Sequence, residues 1–199
     1  MGTVFVDNLE PQSGTSLTLG ASGDTLTIPS GCTISNSGTA TGFGGITVAR
    51  TYRLTSSLSV SAATVTTIAS NWESVDTDGG GSIGTAMSES SGIFSYPSTG
   101  IYFVNFVIQY QGPSQGATYA GGIIQTTQNN SSYDKAVENY SSIYHPNGYG
   151  TSSSHFIHDV TNTTNDKIKF QASCEFAIDV VGDTGYNVTY VSFIRLGDT

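Results

Sequence analysis

The ten residues Ile101-Tyr-Phe-Val-Asn-Phe-Val-Ile-Gln-Tyr110 carry the strongest strand signal in the chain and decide its fold class. The even-numbered positions are all apolar or aromatic, and the odd-numbered Ile101, Phe103 and Val107 are apolar as well. Alternation with period two is typical of a β-strand. Because a two-layer sandwich buries only one face of each sheet, apolar residues on the second face predict burial against another subunit.

Two later segments extend this pattern. In Lys167 to Cys174, apolar side chains alternate with Lys167, Lys169, Gln171 and Ser173, which predicts a half-exposed strand. In Val188 to Leu196, Val191 and Phe193 oppose Tyr190 and Ile194, so both faces are again apolar. From these two-sided strands we assign four residues to a subunit interface: Phe103, Val107, Val191 and Phe193.

The composition of the 199 residues supports an all-β protein. Charged residues make up 11%, while 28 Ser, 27 Thr and 24 Gly supply the polarity, and this mixture is poor in helix formers. The net charge is −9, with six Lys and Arg against 15 Asp and Glu, which excludes a nucleic-acid binder and does not suit an anionic membrane surface. No apolar run approaches the length of a membrane span, and Met1–Glu10 does not resemble a signal peptide.

The pattern changes near residue 45, which predicts three parts. Residues 1–44 form short β-like pieces between turns, 45–50 form a linker, and 51–197 form the main domain. The first part contains too few large side chains to close a core alone, so we expect it to serve as an anchoring or oligomerisation segment. Its candidate anchor residues are Val4, Phe5, Val6 and Leu9.

The sequence contains no recognisable set of catalytic residues, and we expect a protein that is not an enzyme. His155 and His158 lie three apart on a predicted strand and therefore point to opposite faces. Asp76-x-Asp78 begins like a calcium loop but lacks the third ligand and the closing glutamate. We therefore predict no cofactor, with calcium at Asp76 and Asp78 as the weak alternative. Cys174 falls in register with inward residues and is expected to be a buried free thiol.

One stretch has the composition of a recognition loop. Residues 128–155 combine tyrosines with asparagines and serines, as adaptable binding surfaces do, and flat aromatic faces also suit sugar rings. A solvated connection, or one packed on a neighbouring subunit, explains the same composition. The candidate ligand contacts are Tyr133, Tyr140, Tyr144 and Tyr149.

Three segments resemble one known family in order along the chain. They are Phe94-Ser-Tyr-Pro97-Ser-Thr-Gly100-Ile-Tyr102-Phe103, Asn165-Asp-Lys-Ile-Lys-Phe170 and Tyr190-Val-Ser-Phe193-Ile-Arg-Leu196. Over residues 51–197 the chain resembles the globular head of complement's first component, one of the trimeric jelly rolls related to tumour necrosis factor. The resemblance implies a jelly-roll β-sandwich that forms a homotrimer. It also implies, as an alternative to the absence of a cofactor, a calcium site near the threefold axis.

The first 44 residues resemble a different group. Gly14-Thr-Ser-Leu17-Thr-Leu19 and Gly23-Asp-Thr-Leu-Thr-Ile-Pro29-Ser-Gly31 are similar to modules in fibre and appendage proteins of tailed phages, especially marine ones. This implies a virion surface protein assembled in host cytoplasm, either a decoration or a head fibre, whose partners are its own copies and a capsid or tail protein. The alternative is a short tail fibre that recognises host surface glycans.

Overall fold

The computed structural model describes residues 9–35, 45–77, 79–112 and 115–199. These residues fall into two compact units, 9–35 and 45–199. None of the described residues lies in a helix, so no described segment could cross a membrane as a helix. The second unit contains every strand found in the described ranges.

The first unit differs from its prediction. The turns at 21–24 and 29–32 form as expected, with Asp24 N donating to Ala21 O and Cys32 N to Pro29 O. Between them, however, residues 9–35 contain no strand. A strand needs a neighbour to pair with, and none of the pieces within 9–35 supplies one. Three of the predicted anchor residues, Val4, Phe5 and Val6, lie outside the described residues; Leu9 is exposed.

The described residues of the second unit form thirteen strands, which are β1 Ala49–Leu54, β2 Leu58–Val60, β3 Val65–Thr67, β4 Trp72–Ser74, β5 Ser88–Ser90, β6 Ile93–Ser95, β7 Gly100–Gln111, β8 Ala117–Thr127, β9 Asp134–Ile143, β10 Tyr149–Val160, β11 Lys167–Cys174, β12 Ile178–Val180 and β13 Tyr190–Gly197. Strand β1 begins at Ala49, inside the predicted linker 45–50, because Ala49 pairs with Ile194 of β13.

The strands form two antiparallel sheets. Sheet A has the order β2-β12-β7-β13-β1-β4, with β10 on the other edge of β7. Sheet B has the order β5-β6-β11-β8-β9, with β3 also paired to β11. The chain passes from β7 in sheet A to β8 and β9 in sheet B, and returns to sheet A in β10. This all-β sandwich is the predicted jelly roll.

The core lies between the sheets and is rich in aromatic rings. Phe106 of β7 packs on Phe170 of β11 with ring centroids 4.9 Å apart, and Phe94 packs on both Phe170 and Phe193 at 5.7 and 5.4 Å. Edge-to-face and tilted ring pairs of this kind contribute about 0.5–1.5 kcal/mol beyond the area they bury. The alternation predicted for residues 101–110 is confirmed, because the even-numbered side chains of β7 are buried and the odd-numbered ones are half-buried.

Strand β11 is more buried than its sequence predicts. Its bounds match the prediction, but Gln171 and Ser173 are buried although they alternate with core residues. The reason is that β3 pairs with this end of β11, and Gln171 Nε2 donates to Thr67 Oγ1 at 3.0 Å. Strand β3 therefore covers polar residues of β11, and the alternation of residues within β11 does not predict this neighbour.

The two cysteines differ in accessibility, which gives a testable contrast. Cys174 is a buried free thiol, as predicted, and burial raises its pKa, while Cys32 is exposed. We expect a thiol reagent such as dithionitrobenzoate to modify one cysteine in the native protein and two after denaturation. The variant Cys32→Ser should show no rapid reaction in the native state. Rapid modification of that variant would mean that the strand carrying Cys174 opens readily.

A histidine–tyrosine pair is buried with the core residues. Tyr96 Oη and His158 Nδ1 are 2.7 Å apart, and both residues are buried. Burial lowers the pKa of His158, and this outweighs the opposite influence of the Asp166 and Asp159 carboxylates. The imidazole is therefore neutral in the folded protein at neutral pH.

This pair predicts that mild acid destabilises the fold. Unfolded histidine titrates at about 6.5, and the pKa of folded His158 lies lower, so between these values the unfolded state binds more protons. Stability is then lost as the pH falls below about 6.5, and the loss stops growing below the folded pKa. Thermal unfolding measured at steps between about pH 7.5 and 5 should show a falling midpoint. The variant His158→Asn should flatten this dependence, and an unchanged slope would contradict the assignment.

Candidate self-association interface

The outer face of sheet A carries a row of apolar residues that crosses five chain segments. The pairing register places Ile157 of β10 beside Phe103 of β7, Phe103 beside Ile194 of β13, and Ile194 beside Ala49 of β1. An isolated bridge adds Ile83 beside Ala49. We call these five residues the outer apolar row. At about 4.8 Å per interstrand step, the row is about 19 Å long.

The row is open to solvent in the single chain. Ile157 and Ile83 at its ends are 50% and 48% exposed, and Phe103, Ala49 and Ile194 between them are half-buried. Scattered apolar residues are normal on a surface. An aligned row across a sheet is different, because it forms one continuous strip that water cannot hydrogen-bond.

A second row, parallel to the first, is polar and contains one histidine. The register aligns His155, Asn105, Ser192 and Thr51 across β10, β7, β13 and β1. Thr51 Oγ1 and Ser192 Oγ are 2.8 Å apart, and the His155 ring stacks on Phe103 at 5.9 Å with an interplanar angle of 25°. The outer face thus joins an apolar strip to a line of hydrogen-bonding groups, as protein interfaces join an apolar centre to polar surroundings.

The positive charge of Arg53 is neutralised within the chain. Arg53 is aligned with Tyr190 and Val107 in a third row, yet it is only 1% exposed. Its Nε lies 3.1 Å from Glu73, and its Nη1 donates to Thr77 Oγ1 at 2.8 Å. Because a buried charge without a partner is strongly destabilising, this pairing is what allows Arg53 to lie under the face.

The four predicted interface residues divide between the two faces. Phe103 and Val107 lie on the outer face, where their interface role stays a prediction. The assignment of Val191 and Phe193 is wrong, because both are 0% exposed within one chain and face the aromatic core. On β13 the outward residues are their neighbours Tyr190, Ser192 and Ile194, which are half-buried.

The sequence patterns did not assign the remaining residues of the apolar row to an interface, and the reasons differ from residue to residue. Ile194 carried a usable signal, since it alternates with Phe193 on an apolar strand. Ile157 stands among serines and histidines in β10, and Ile83 lies outside the strands, where no period exists to find it. Only the register reveals that these residues are neighbours.

The four candidate ligand tyrosines do not form one cluster. The Tyr133 ring lies under Lys169 Nζ at 4.2 Å from the centroid, and Tyr140 packs edge-on to Tyr119 at 5.2 Å. Both therefore lie on the outer face of sheet B. Tyr144 and Tyr149 are exposed and flank the turn between β9 and β10, where Gly148 N donates to His145 O. Among the described residues these four rings make no ring contact with one another.

The calcium candidates are only partly described. Asp76 Oδ1 lies 4.0 Å from Arg53 Nη2, so a cation of the protein already faces this carboxylate. Asp78 lies outside the described residues. Within the described ranges no three His, Cys, Asp or Glu side chains converge in the manner of a metal site. His155 faces outward and His158 inward, as their spacing predicts.

Two antiparallel sheets around one aromatic core place the protein in the class of jelly-roll β-sandwiches. It is similar to murine APRIL, with 14% identity, a TM-score of 0.54 and coverage of 75% of this chain and 98% of that chain. It is also similar to Eiger, a tumour necrosis factor of S. frugiperda, with 12% identity, a TM-score of 0.59 and coverage of 78% and 96%. Likeness at these identities establishes the fold alone, which is a jelly roll like that of tumour necrosis factor.

A further match is the vertex protein P5 of PRD1, with 15% identity, a TM-score of 0.44 and coverage of 77% of this chain and 100% of that chain. This structural similarity is too low to carry an argument. No protein-family model and no curated protein sequence matches the chain.

Proposed function

We propose that the protein is a homotrimeric structural protein of a virion surface, a capsid decoration or head fibre that displays its jelly roll outward. The observation that carries the proposal is the outer apolar row, which a single chain leaves uncovered. Full burial of an isoleucine or phenylalanine side chain contributes about 1.5–3 kcal/mol. Covering the exposed part of the four isoleucine and phenylalanine side chains of the row in every subunit therefore favours association.

The row supports association between copies, and the number three comes from the resemblance of residues 51–197 to trimeric jelly rolls. Most oligomers of identical chains have closed symmetry. In a closed trimer each subunit contacts both of the others, so no copy of the interface is left to continue into a filament. The proposed role is non-enzymatic: several heads on one particle raise avidity without a strong individual contact.

The first unit supports an anchoring role through its lack of a core. Its six large apolar side chains among the described residues are all exposed, namely Leu9, Leu17, Leu19, Leu26, Ile28 and Ile34. Such a segment gains its apolar burial from a partner. We propose that this partner is a capsid or tail protein, that assembly takes place in host cytoplasm, and that the mature location is the virion surface.

A second candidate is a short tail fibre that recognises host surface glycans. The observation that favours it is the exposure of Tyr144 and Tyr149 beside the β9–β10 turn. Exposed aromatic faces next to small polar residues suit recognition. Binding to intact host cells, lost in the double variant Tyr144→Ala/Tyr149→Ala, would favour this candidate over decoration.

Attachment can be tested without disturbing the jelly roll. We expect Leu19→Asp with Leu26→Asp to leave the oligomer and the thermal midpoint of the head unchanged, because both side chains are already exposed. Association with particles should fall sharply, since each aspartate would have to be buried unpaired in the contact. Cosedimentation with particles and imaging of their surface measure this.

The matched control is Ser22→Asp, which adds a charge to a turn of the same unit. It should attach normally. Full attachment of the double leucine variant would remove the anchoring role from this segment, and imaging that places the protein inside the particle would contradict the virion-surface proposal.

A further inference from the structure

A polar cleft of about 410 Å³ lies between the turn that joins β8 to β9 and the last residues of β10. Its lining includes Asn129, Ser132, Asp134, Phe156, His158 and Asp159. Of its lining residues, Ile157 also belongs to the outer apolar row, so the cleft and the proposed interface share this residue. Its volume is within the range of small-ligand sites, about 300–1,000 Å³.

The buried histidine–tyrosine pair fixes a hydrogen-bond donor at this cleft. The Tyr96 hydroxyl is fully buried, and its partner among the described residues is His158 Nδ1. We assign the hydroxyl as the donor to that nitrogen, since leaving its proton unpaired would be costly. His158 is only 4% exposed, and with Nδ1 accepting, its Nε2 carries the proton. This Nε2–H has no hydrogen-bond partner in the described part of the chain.

Acceptors and a further donor surround this group. Asp134 and Asp159 are exposed carboxylates that line the same cleft from different strands. Asn129 is held in place because its Oδ1 accepts from Thr127 Oγ1 at 2.9 Å, Ser131 N at 2.9 Å and Ser132 N at 2.8 Å. The asparagine therefore has its Nδ2 donors left for a ligand.

An apolar wall completes the lining. The half-buried Phe156 ring contacts the His158 imidazole at 5.6 Å between centroids. The cleft thus offers two acceptors, two donors and one aromatic surface. Each hydroxyl of a sugar donates and accepts, while the C–H groups of its ring pack on aromatic faces, so this set matches a polyhydroxylated ligand.

We propose that the cleft binds a neutral saccharide, with Asp134 and Asp159 accepting from its hydroxyls and His158 Nε2–H donating to one of them. The two carboxylates and the net charge of −9 disfavour an anionic sugar. A metal ion is disfavoured because no three ligating side chains converge among the described residues. The inference rests on the proposed display function only in that a trimer would present three such clefts.

Saturation-transfer NMR on the full chain tests this inference. The probes are glucose, galactose and N-acetylglucosamine, with glucuronate as the anionic counterpart, and calcium chloride is tested separately by isothermal titration calorimetry. We expect saturable transfer to at least one neutral sugar and markedly less to glucuronate. Asp134→Asn with Asp159→Asn, two exposed positions, should weaken binding about tenfold or more, because charge-assisted hydrogen bonds are lost.

Asp179→Asn is the matched control, an exposed carboxylate on β12 that does not line the cleft. It should bind as the parent does. The inference is overturned if no neutral sugar shows transfer, if the double variant binds unchanged, if glucuronate binds as well as its neutral counterparts, or if calcium alone saturates the site.

Oligomeric state, measured in the same samples, separates this inference from the proposed function. A trimer that binds no sugar overturns the saccharide site alone. A monomer that binds sugar overturns the proposed assembly alone.

Discussion

Phe103→Asp is expected to convert the self-associated protein into monomers that remain folded. Phe103 lies in the middle of the outer apolar row, between Ile157 and Ile194, and takes no part in the aromatic core. In a single chain its aspartate replacement would be partly solvated. In the assembly the same carboxylate would be buried without a partner, which costs several kcal/mol at each interface. Sedimentation would show dissociation, and circular dichroism would show an intact β-fold.

Two control variants separate this effect from a general loss of stability. Phe103→Leu keeps an apolar side chain in the row and should remain associated. Asn105→Asp places the same charge two residues along β7, on the same face but in the polar row beside His155 and Ser192. Its effect should be smaller. If Phe103→Asp sediments as the parent protein does, the outer face of sheet A is not the interface.

Phe193→Asp is expected to abolish folding. Its ring is fully buried and lies 5.4 Å from Phe94 and 6.1 Å from Phe170. Truncating a buried phenylalanine costs about 3–5 kcal/mol, and burying a carboxylate in the resulting space adds more. Because domains are stable by only about 5–15 kcal/mol, the variant should show no cooperative thermal transition.

The adjacent position provides the matched comparison. Ile194 follows Phe193 on β13 but faces outward, so Ile194→Asp should fold and dissociate, as Phe103→Asp does. Neighbouring substitutions with opposite outcomes would establish which face of β13 is inside. A folded, monomeric Phe193→Asp would instead restore the face assignment made from the sequence pattern.

The alternation of β7 could be predicted from sequence, but the orientation of β13 could not. Period two determines which residues share a face, so Val191 and Phe193 were correctly grouped against Tyr190 and Ile194. It does not determine which face lies inward when both are apolar. That choice depends on Phe94 and Phe170 in sheet B, and neither is near β13 in the sequence.

The candidate sites show the same limit. Asp134 and His158 are separated by 24 positions, and they line one cleft only because β9 and β10 fold back on each other. Ile83 joins the apolar row through one bridge to Ala49. The tyrosines of residues 128–155 were conspicuous by composition, yet they divide between the outer face of sheet B and the β9–β10 turn. Composition identifies residues capable of recognition, and the topology determines which of them meet.

Sedimentation equilibrium of the purified 199-residue chain at micromolar concentration tests self-association most directly. The proposed trimer predicts a single species with three times the 20.8 kDa mass of one chain. A stable species of 20.8 kDa that persists as concentration rises would contradict it, because the outer apolar row would then be a solvent-exposed surface of a monomer.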